Sequence, residues 1–182
     1  MSIVENSKIK LTYEDYVGFP EDGQRHEVID GDHYVTPSPE LYHQSLSGRI
    51  FVQLFRQIEE AGQGRVVSAP MDVLLTKVDI VQPDIVVLLK ANEIYAAKNI
   101  QCAPDLIVEI LSPSTSSRDR TLKKSLYERC GVPEYWIVDP ENKVLEQRVL
   151  SSEGTYELQD EHREAFDCAT IDGVHIDLRK VW

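Results

Sequence analysis

Apolar residues follow two rhythms along this chain. From His43 to Ala61 the positions Leu46, Ile50, Leu54, Ile58 and Ala61 step by four, four, four and three, with Phe51 and Phe55 widening the stripe, which predicts a long helix. Gly62 suits its end. A second helix is predicted over SPSTSSRDRTLKKSLYERCGV, with Leu122, Leu126 and Cys130 as its apolar rail, Ser116 and Asp119 in capping-box spacing, and Gly131 closing it. The other rhythm is that of strands. PDIVVLL, APDLIVEIL and EYWIVDP are short, nearly continuous apolar runs, the pattern of strands covered on both faces.

Weaker signals fill the intervals. LTYEDYVGF, with Thr12 and Asp15 in capping-box spacing, reads as a short helix, and RHEVIDGDHYVTPSP reads as a hairpin turning at Asp30-Gly31. GRVVSAPMDVLL gives one strand broken at Pro70, or two short strands. The stretch around EIYAAKN is a loop or a short helical segment. Beyond the turn at Asp139–Asn142, KVLEQRVL and TYELQ form an antiparallel extension, and VHIDL is expected to finish that sheet.

This order argues for an α/β fold, a mixed central sheet flanked by helices on both faces, with a right-handed strand-helix-strand crossover over residues 105 to 138. That is a three-layer sandwich, to which the C-terminal strands add an antiparallel extension. No repeat or linker divides the 182 residues, so a single domain with its core at roughly 10–150 is expected.

Composition narrows the setting. Three cysteines, Cys102, Cys130 and Cys168, lack paired metal-ligand spacing, and MSIVENSKIK has no apolar leader core, which points to a reducing cytoplasm. No apolar run has the length of a membrane helix. Nineteen Lys and Arg against 31 Asp and Glu give a net charge of -12, which excludes a generally basic nucleic-acid-binding surface but leaves room for a local basic cleft around SSRDR and KKSLYER.

The candidate chemistry lies in the acids of the apolar strands. Glu109 stands between Val108 and Ile110, where an uncompensated charge costs several kcal/mol to bury. Strand alternation puts Asp84 on the side of Val86 and Leu88, and Glu109 on the side of Ile107 and Leu111. With the strand ends aligned, both acids point into one cleft, and a hard divalent cation is the economical way to hold them together. Magnesium is the expected ion, with manganese as a substitute. Asp119, Lys123 and Tyr127 recur every four residues on the second helix, so Lys123 can reach the sheet and orient a water, while Lys124 points toward solvent.

Taken together, HEVIDG, QPDIVVL, APDLIVEILSPST and DRTLKKSLYERCGVPEYWIVDP resemble the Uma-two family, a branch of the PD-(D/E)XK nuclease superfamily, over roughly residues 10 to 150. The resemblance implies a restriction-endonuclease-like, metal-dependent phosphodiesterase core. Asp84 matches the acid of the PD element, Glu109 the second acid and Glu27 an additional acid before the early hairpin. Gln82 and the pair His43-Gln44 match accessory positions. Leu111 stands where the superfamily's usual lysine would be, and Lys123 matches the lysine that this family carries in the following helix.

The leading expectation is a magnesium-dependent DNA endonuclease. Asp84, Glu109 and the Ile110 carbonyl would hold the metal, Lys123 would orient the water, Glu27 would assist, and His43, Gln44, Gln82 and Tyr127 would be accessory. A catalytically silent regulatory or interaction protein and a small-nucleotide phosphodiesterase are the alternatives. A homodimer covering the edge offered by KVLEQRVL and TYELQ is also expected.

Overall fold

A computed structural model describes residues 9–92 and 98–182, so the opening residues 1–8 and all but the last two residues of EIYAAKN lie outside it. The chain starts with a single helical turn, α1 (Tyr13–Tyr16), where the Asp15 carboxylate accepts the Thr12 backbone N–H at 2.8 Å. The hairpin β1 (Arg25–Ile29) and β2 (Asp32–Thr36) follows. Its two-residue turn has positive φ at both positions, 52° at Asp30 and 79° at Gly31, the handedness that matches strand twist. Helix α2 (Leu41–Ile58) starts two residues before His43 and stops before Ala61; Leu46, Ile50, Leu54 and Ile58 are all buried on one side.

Pro70 divides its segment into two strands, β3 (Gly64–Ser68) and β4 (Val73–Thr76), which join different sheets. A short strand with no separate signal in the sequence, β5 (Asp79–Val81), completes a small antiparallel sheet ordered β2-β1-β5-β4. The two apolar runs form β6 (Ile85–Leu89) and β7 (Leu106–Ile110). The second helix consists of α3 (Ser116–Arg118), a π-helical turn (Asp119–Lys123) and α4 (Lys124–Arg129) in direct succession. Then come β8 (Glu134–Asp139), β9 (Val144–Leu150), β10 (Tyr156–His162), β11 (Ala165–Asp167), β12 (His175–Asp177) and a closing 3-10 turn (Leu178–Lys180).

The central sheet has the order β10-β9-β8-β7-β6-β3 and is antiparallel except for the crossover pair β7 and β8. Alternation along its strands feeds two cores. Ile85, Val87, Val108, Ile110, Trp136 and Val138 pack on α2 and on the C-terminal segment containing Phe166, Ile176 and Leu178. Val86, Leu88, Ile107, Tyr135 and Ile137 pack on Leu126 and Tyr127 of α4 and on Ile29, Val73 and Val81 of the small sheet. The third layer is therefore part helix and part sheet.

Three expectations need correction. VHIDL does not finish the central sheet. Its strand β12 pairs with β11, and on its other side the Gln57 carboxamide exchanges hydrogen bonds with the His175 backbone, at 2.8 Å each way, while Gln53 accepts the Asp177 N–H at 2.8 Å. Two helical glutamines thus take the place of a neighbouring strand for an otherwise unpaired edge. Leu122 does not belong to the buried rail: it is 42% exposed, and Lys123 takes the inward position at 4%. The wider π-helical turn shifts the facing of the residues after Asp119, and such turns recur at functional sites. The Ser116–Asp119 capping box is also absent, because Thr115 is the N-cap and Ser116 is already helical.

The edge expected to attract a partner is not apolar. β9 is an interior strand, and β10 presents Glu157, Asp160 and Glu161 with a register shift between Leu158 and Asp160, features that discourage edge-to-edge pairing. Among the described residues no helix is long and apolar enough to cross a membrane.

Candidate active site

The antiparallel register of β6 and β7 pairs Ile85 with Val108; one step further, it sets Asp84 across from Glu109. The chain confirms that closeness, since the Ile110 N–H donates to Asp84 Oδ2 at 2.9 Å. Both acids are buried, at 3% exposure, yet both line a cavity of about 630 Å³ at this end of the sheet. Its walls come from the segment following β2, the start of α2, the loop Ser112–Ser116 and the turn Asp139–Glu141.

Lys123 enters from the π-helical turn. Its Nζ lies 2.8 Å from Glu109 Oε1, 2.9 Å from Glu27 Oε1 and 3.7 Å from Asp119 Oδ1. Behind it the Tyr127 hydroxyl donates to the same Glu109 oxygen at 2.8 Å. Glu27 reaches the cavity from β1 and accepts the Gln82 backbone N–H at 2.9 Å. On the other side, His43 Nε2 sits 2.9 Å from the Ile110 carbonyl and 3.2 Å from Asp84 Oδ2, and Arg25 donates to Asp84 Oδ1 at 2.6 Å.

The structure therefore gathers Glu27, His43, Gln82, Asp84, Glu109, Ile110 and Lys123 around one cavity. The Gln82 side chain turns away from the acids, donating to Asp72 at 2.8 Å and to the Tyr16 hydroxyl at 3.0 Å. Gln44 lies outside this cavity and lines a neighbouring one of about 150 Å³. Tyr127 is fully buried and acts only through Glu109. Lys124 pairs with Glu128 at 2.6 Å on the outer side of the helix.

Arg25 and Asp119 join the cavity although neither was expected in the site. Arg25 is two positions before Glu27, so strand alternation alone puts it on the same face. Asp119, expected as the capping-box partner of Ser116 and as the residue one turn before Lys123, is instead 2% exposed, lines the cavity, and its Oδ1 has no hydrogen-bond partner.

The electrostatics separate the two central acids. Burial opposes ionisation of Asp84, but His43 and Arg25 outweigh it and hold the carboxyl down at about 2. At Glu109 burial dominates: the Lys123 charge resists it, Asp119, Asp84 and Glu27 add to it, and the carboxyl is pushed up to about 8. Burial would deprotonate Lys123, yet Glu109, Glu27 and Asp119 together raise its pKa and keep it a cation. The His43 pKa is raised as well, because Asp84 overcomes the effect of burial.

Among the described residues, no three or more His, Cys, Asp or Glu side chains form a ready-made metal cage. Asp84, Glu109 and the Ile110 carbonyl present hard oxygen donors together at the cavity wall, a set suited to a small divalent ion that keeps several waters. The hydroxyl-rich loop Ser112–Ser116 borders the same space and can take a phosphate oxygen.

Among curated proteins nothing matches this chain. A crystal structure of a putative nuclease belonging to DUF820 from Anabaena variabilis superposes with a TM-score of 0.80, covering 94% of this chain and 97% of that one at 19% identity, so the two share a fold. A family model described as "Putative restriction endonuclease" matches residues 13–178. The chain belongs to that family, Uma2.

Proposed function

We propose that this protein is a magnesium-dependent endonuclease that hydrolyses DNA phosphodiester bonds. The observation that carries the reading is the meeting of Asp84 and Glu109 from facing strands in a cavity that also holds the buried Lys123 ammonium, 2.8 Å from Glu109. Buried acids in such numbers are costly unless they serve a charge that binds there.

Asp84, Glu109 and the Ile110 carbonyl would hold the ion, with manganese as a working substitute. When bound, the ion supplies Lewis-acid activation of water and neutralises charge on the phosphate. The remaining work falls to the chain. Lys123, fixed between Glu109 and Glu27, orients the attacking water and offers positive charge toward the phosphate. Glu27 and Tyr127 fix the lysine and Glu109 respectively, while His43 braces Asp84 and the Ile110 carbonyl. The Ser112–Ser116 loop offers hydroxyls to the substrate backbone. A homodimer would present two such cavities to one duplex, and a monomer in sedimentation at micromolar concentration would remove that part of the proposal without touching the site.

The test is cleavage of single-stranded, double-stranded and branched DNA with and without magnesium. Wild type should cut only with the ion, Asp84→Asn should not cut, and Lys123→Ala should be slower by about a hundredfold or more under single-turnover conditions. Cleavage of small nucleotide phosphodiesters in place of DNA would reassign the substrate. Metal-independent cleavage, or none on any substrate, would overturn the reading.

A further inference from the structure

Arg25 engages the carboxylate that the proposed metal site would use. Asp84 has two oxygens, and Oδ2 is already committed to the Ile110 N–H at 2.9 Å and to His43 at 3.2 Å. Oδ1 is held by the Arg25 guanidinium at 2.6 Å. A guanidinium keeps its charge at any working pH, so a divalent ion approaching Asp84 meets both a blocked ligand atom and a like charge.

Lys123 and Arg25 are not held alike. Lys123 is enclosed by Glu27, Glu109 and Asp119, with a side chain 5% exposed. Arg25 makes its ion pair with Asp84, is 19% exposed, and stands on the boundary between the 630 Å³ cavity and the adjoining 150 Å³ cavity. The smaller cavity is bordered by Gln44, Ser47 and Ser68, whose side chains can accept from a displaced guanidinium. Arg25 therefore has both the weaker hold and the room to move.

We propose that Arg25 is a positioning residue that stands in for the divalent cation at Asp84, and that metal binding and the Arg25–Asp84 ion pair exclude one another. In the absence of metal the guanidinium neutralises a buried acid that would otherwise be unpaired. With metal bound it would withdraw from Oδ1 and become available to a phosphodiester, whose two free oxygens a guanidinium can meet with two N–H groups. This inference rests on the metal-dependent reading above.

Calorimetric titration of manganese into wild type, Arg25→Gln and Arg25→Lys tests it. Arg25→Gln should bind manganese about tenfold more tightly than wild type, the scale of one like charge removed from a partly buried site, and Arg25→Lys should fall between. Nitrogen-15 NMR of the wild-type arginine side chains gives an answer that does not depend on the Gln variant folding. The Arg25 Nε–H signal, assigned by its loss in Arg25→Lys, should move when magnesium is added. Equal or weaker manganese binding by Arg25→Gln, or an Arg25 signal unchanged at saturating magnesium, overturns the exclusion while leaving the metal reading intact. Failure of wild type and both variants to bind manganese overturns the metal reading and this inference with it.

Discussion

Glu109 and Glu134 are both buried acids on the adjacent parallel strands β7 and β8, and they are treated in opposite ways. Glu134 lies on the α2 side of the sheet and is surrounded by neutral donors. Trp136 Nε1 and Gln147 Nε2 donate to Oε1 at 2.7 Å each, and the Thr170 hydroxyl and N–H to Oε2 at 2.7 and 2.8 Å, with the Ala169 N–H and the Cys168 thiol each 3.1 Å from Oε2. Burial raises its pKa, but this set of bonds outweighs burial and holds the carboxyl below its usual value. Glu109, facing the other way, receives Lys123 and Tyr127 on a single oxygen, and burial pushes it up to about 8. Glu134 is finished by the fold and ties the C-terminal segment to β8; Glu109 is left short of donors beside an open cavity. A fold that could satisfy one buried acid so fully had the means to satisfy the other, and the difference marks a carboxyl left for a ligand to complete.

Glu109→Gln tests the active half of that contrast and should have the largest effect. Cleavage should fall by about a thousandfold or more, equivalent to several kcal/mol of lost transition-state stabilisation. Thermal stability without metal should stay within about 1 kcal/mol of wild type or rise, since the substitution removes a carboxyl whose ionisation burial opposes while keeping an acceptor for Tyr127. A large loss of stability together with the activity would mean that Glu109, like Glu134, mainly serves the fold.

The reverse is expected of Glu134→Gln. An amide cannot accept from all these donors, and its own N–H group would face theirs, so a loss of about 2–4 kcal/mol is expected, seen as a fall in melting temperature of roughly 5–15 °C. Cleavage measured well below the transition should stay within a few-fold of wild type. The acid limb of stability supplies a further check. The folded pKa of Glu134 is depressed below the ordinary 4.5, so its stabilisation is present above that value and is lost as pH falls through the folded pKa. Between pH 5 and 3 the melting temperature of wild type should therefore fall more steeply than that of Glu134→Gln. Parallel acid limbs would remove Glu134 from the account.

What the sequence revealed follows from how local each determinant is. Strand alternation gives the side of its own strand on which each of Asp84 and Glu109 lies, and helical spacing suggests the stripe of Asp119, Lys123 and Tyr127, so these could be read directly; that the two acids meet depends on the register of β6 and β7. Leu122 was misplaced because a π-helical turn leaves no separate signal in an apolar pattern built for 3.6 residues per turn. β5 has three residues and was hidden between a Lys77-Val78 turn and Pro83. The capture of β12 by Gln53 and Gln57 joins residues 118 or more positions apart, and side-chain substitutes for a strand carry no periodicity. Arg25 could have been found from its i, i+2 relation to Glu27, but its partner Asp84 is 59 positions away. The identity of that partner belongs to the tertiary structure.

Lys124→Ala is the smallest of these perturbations, and it sharpens the comparison because it changes charge beside the site without entering it. Lys124 neighbours Lys123 in sequence, but its ammonium pairs with Glu128 at 2.6 Å on the outer side of α4, with a side chain 25% exposed. Glu128 keeps a second partner, since its Oε1 also accepts the Tyr156 N–H at 2.7 Å. Losing a partly exposed i, i+4 pair of this kind should cost about 0.5 kcal/mol, a shift of roughly 1–2 °C in melting temperature. Single-turnover cleavage at saturating magnesium should change by less than about threefold, against the hundredfold expected for Lys123→Ala. Measuring both variants across several salt concentrations separates chemistry from general attraction of the substrate. A loss that is equal in the two variants and disappears with salt would show that the lysines only draw DNA toward an acidic protein. In that case the buried position of Lys123 between Glu27 and Glu109 would serve to neutralise those acids, and the orienting of water would have to come from another group lining the cavity.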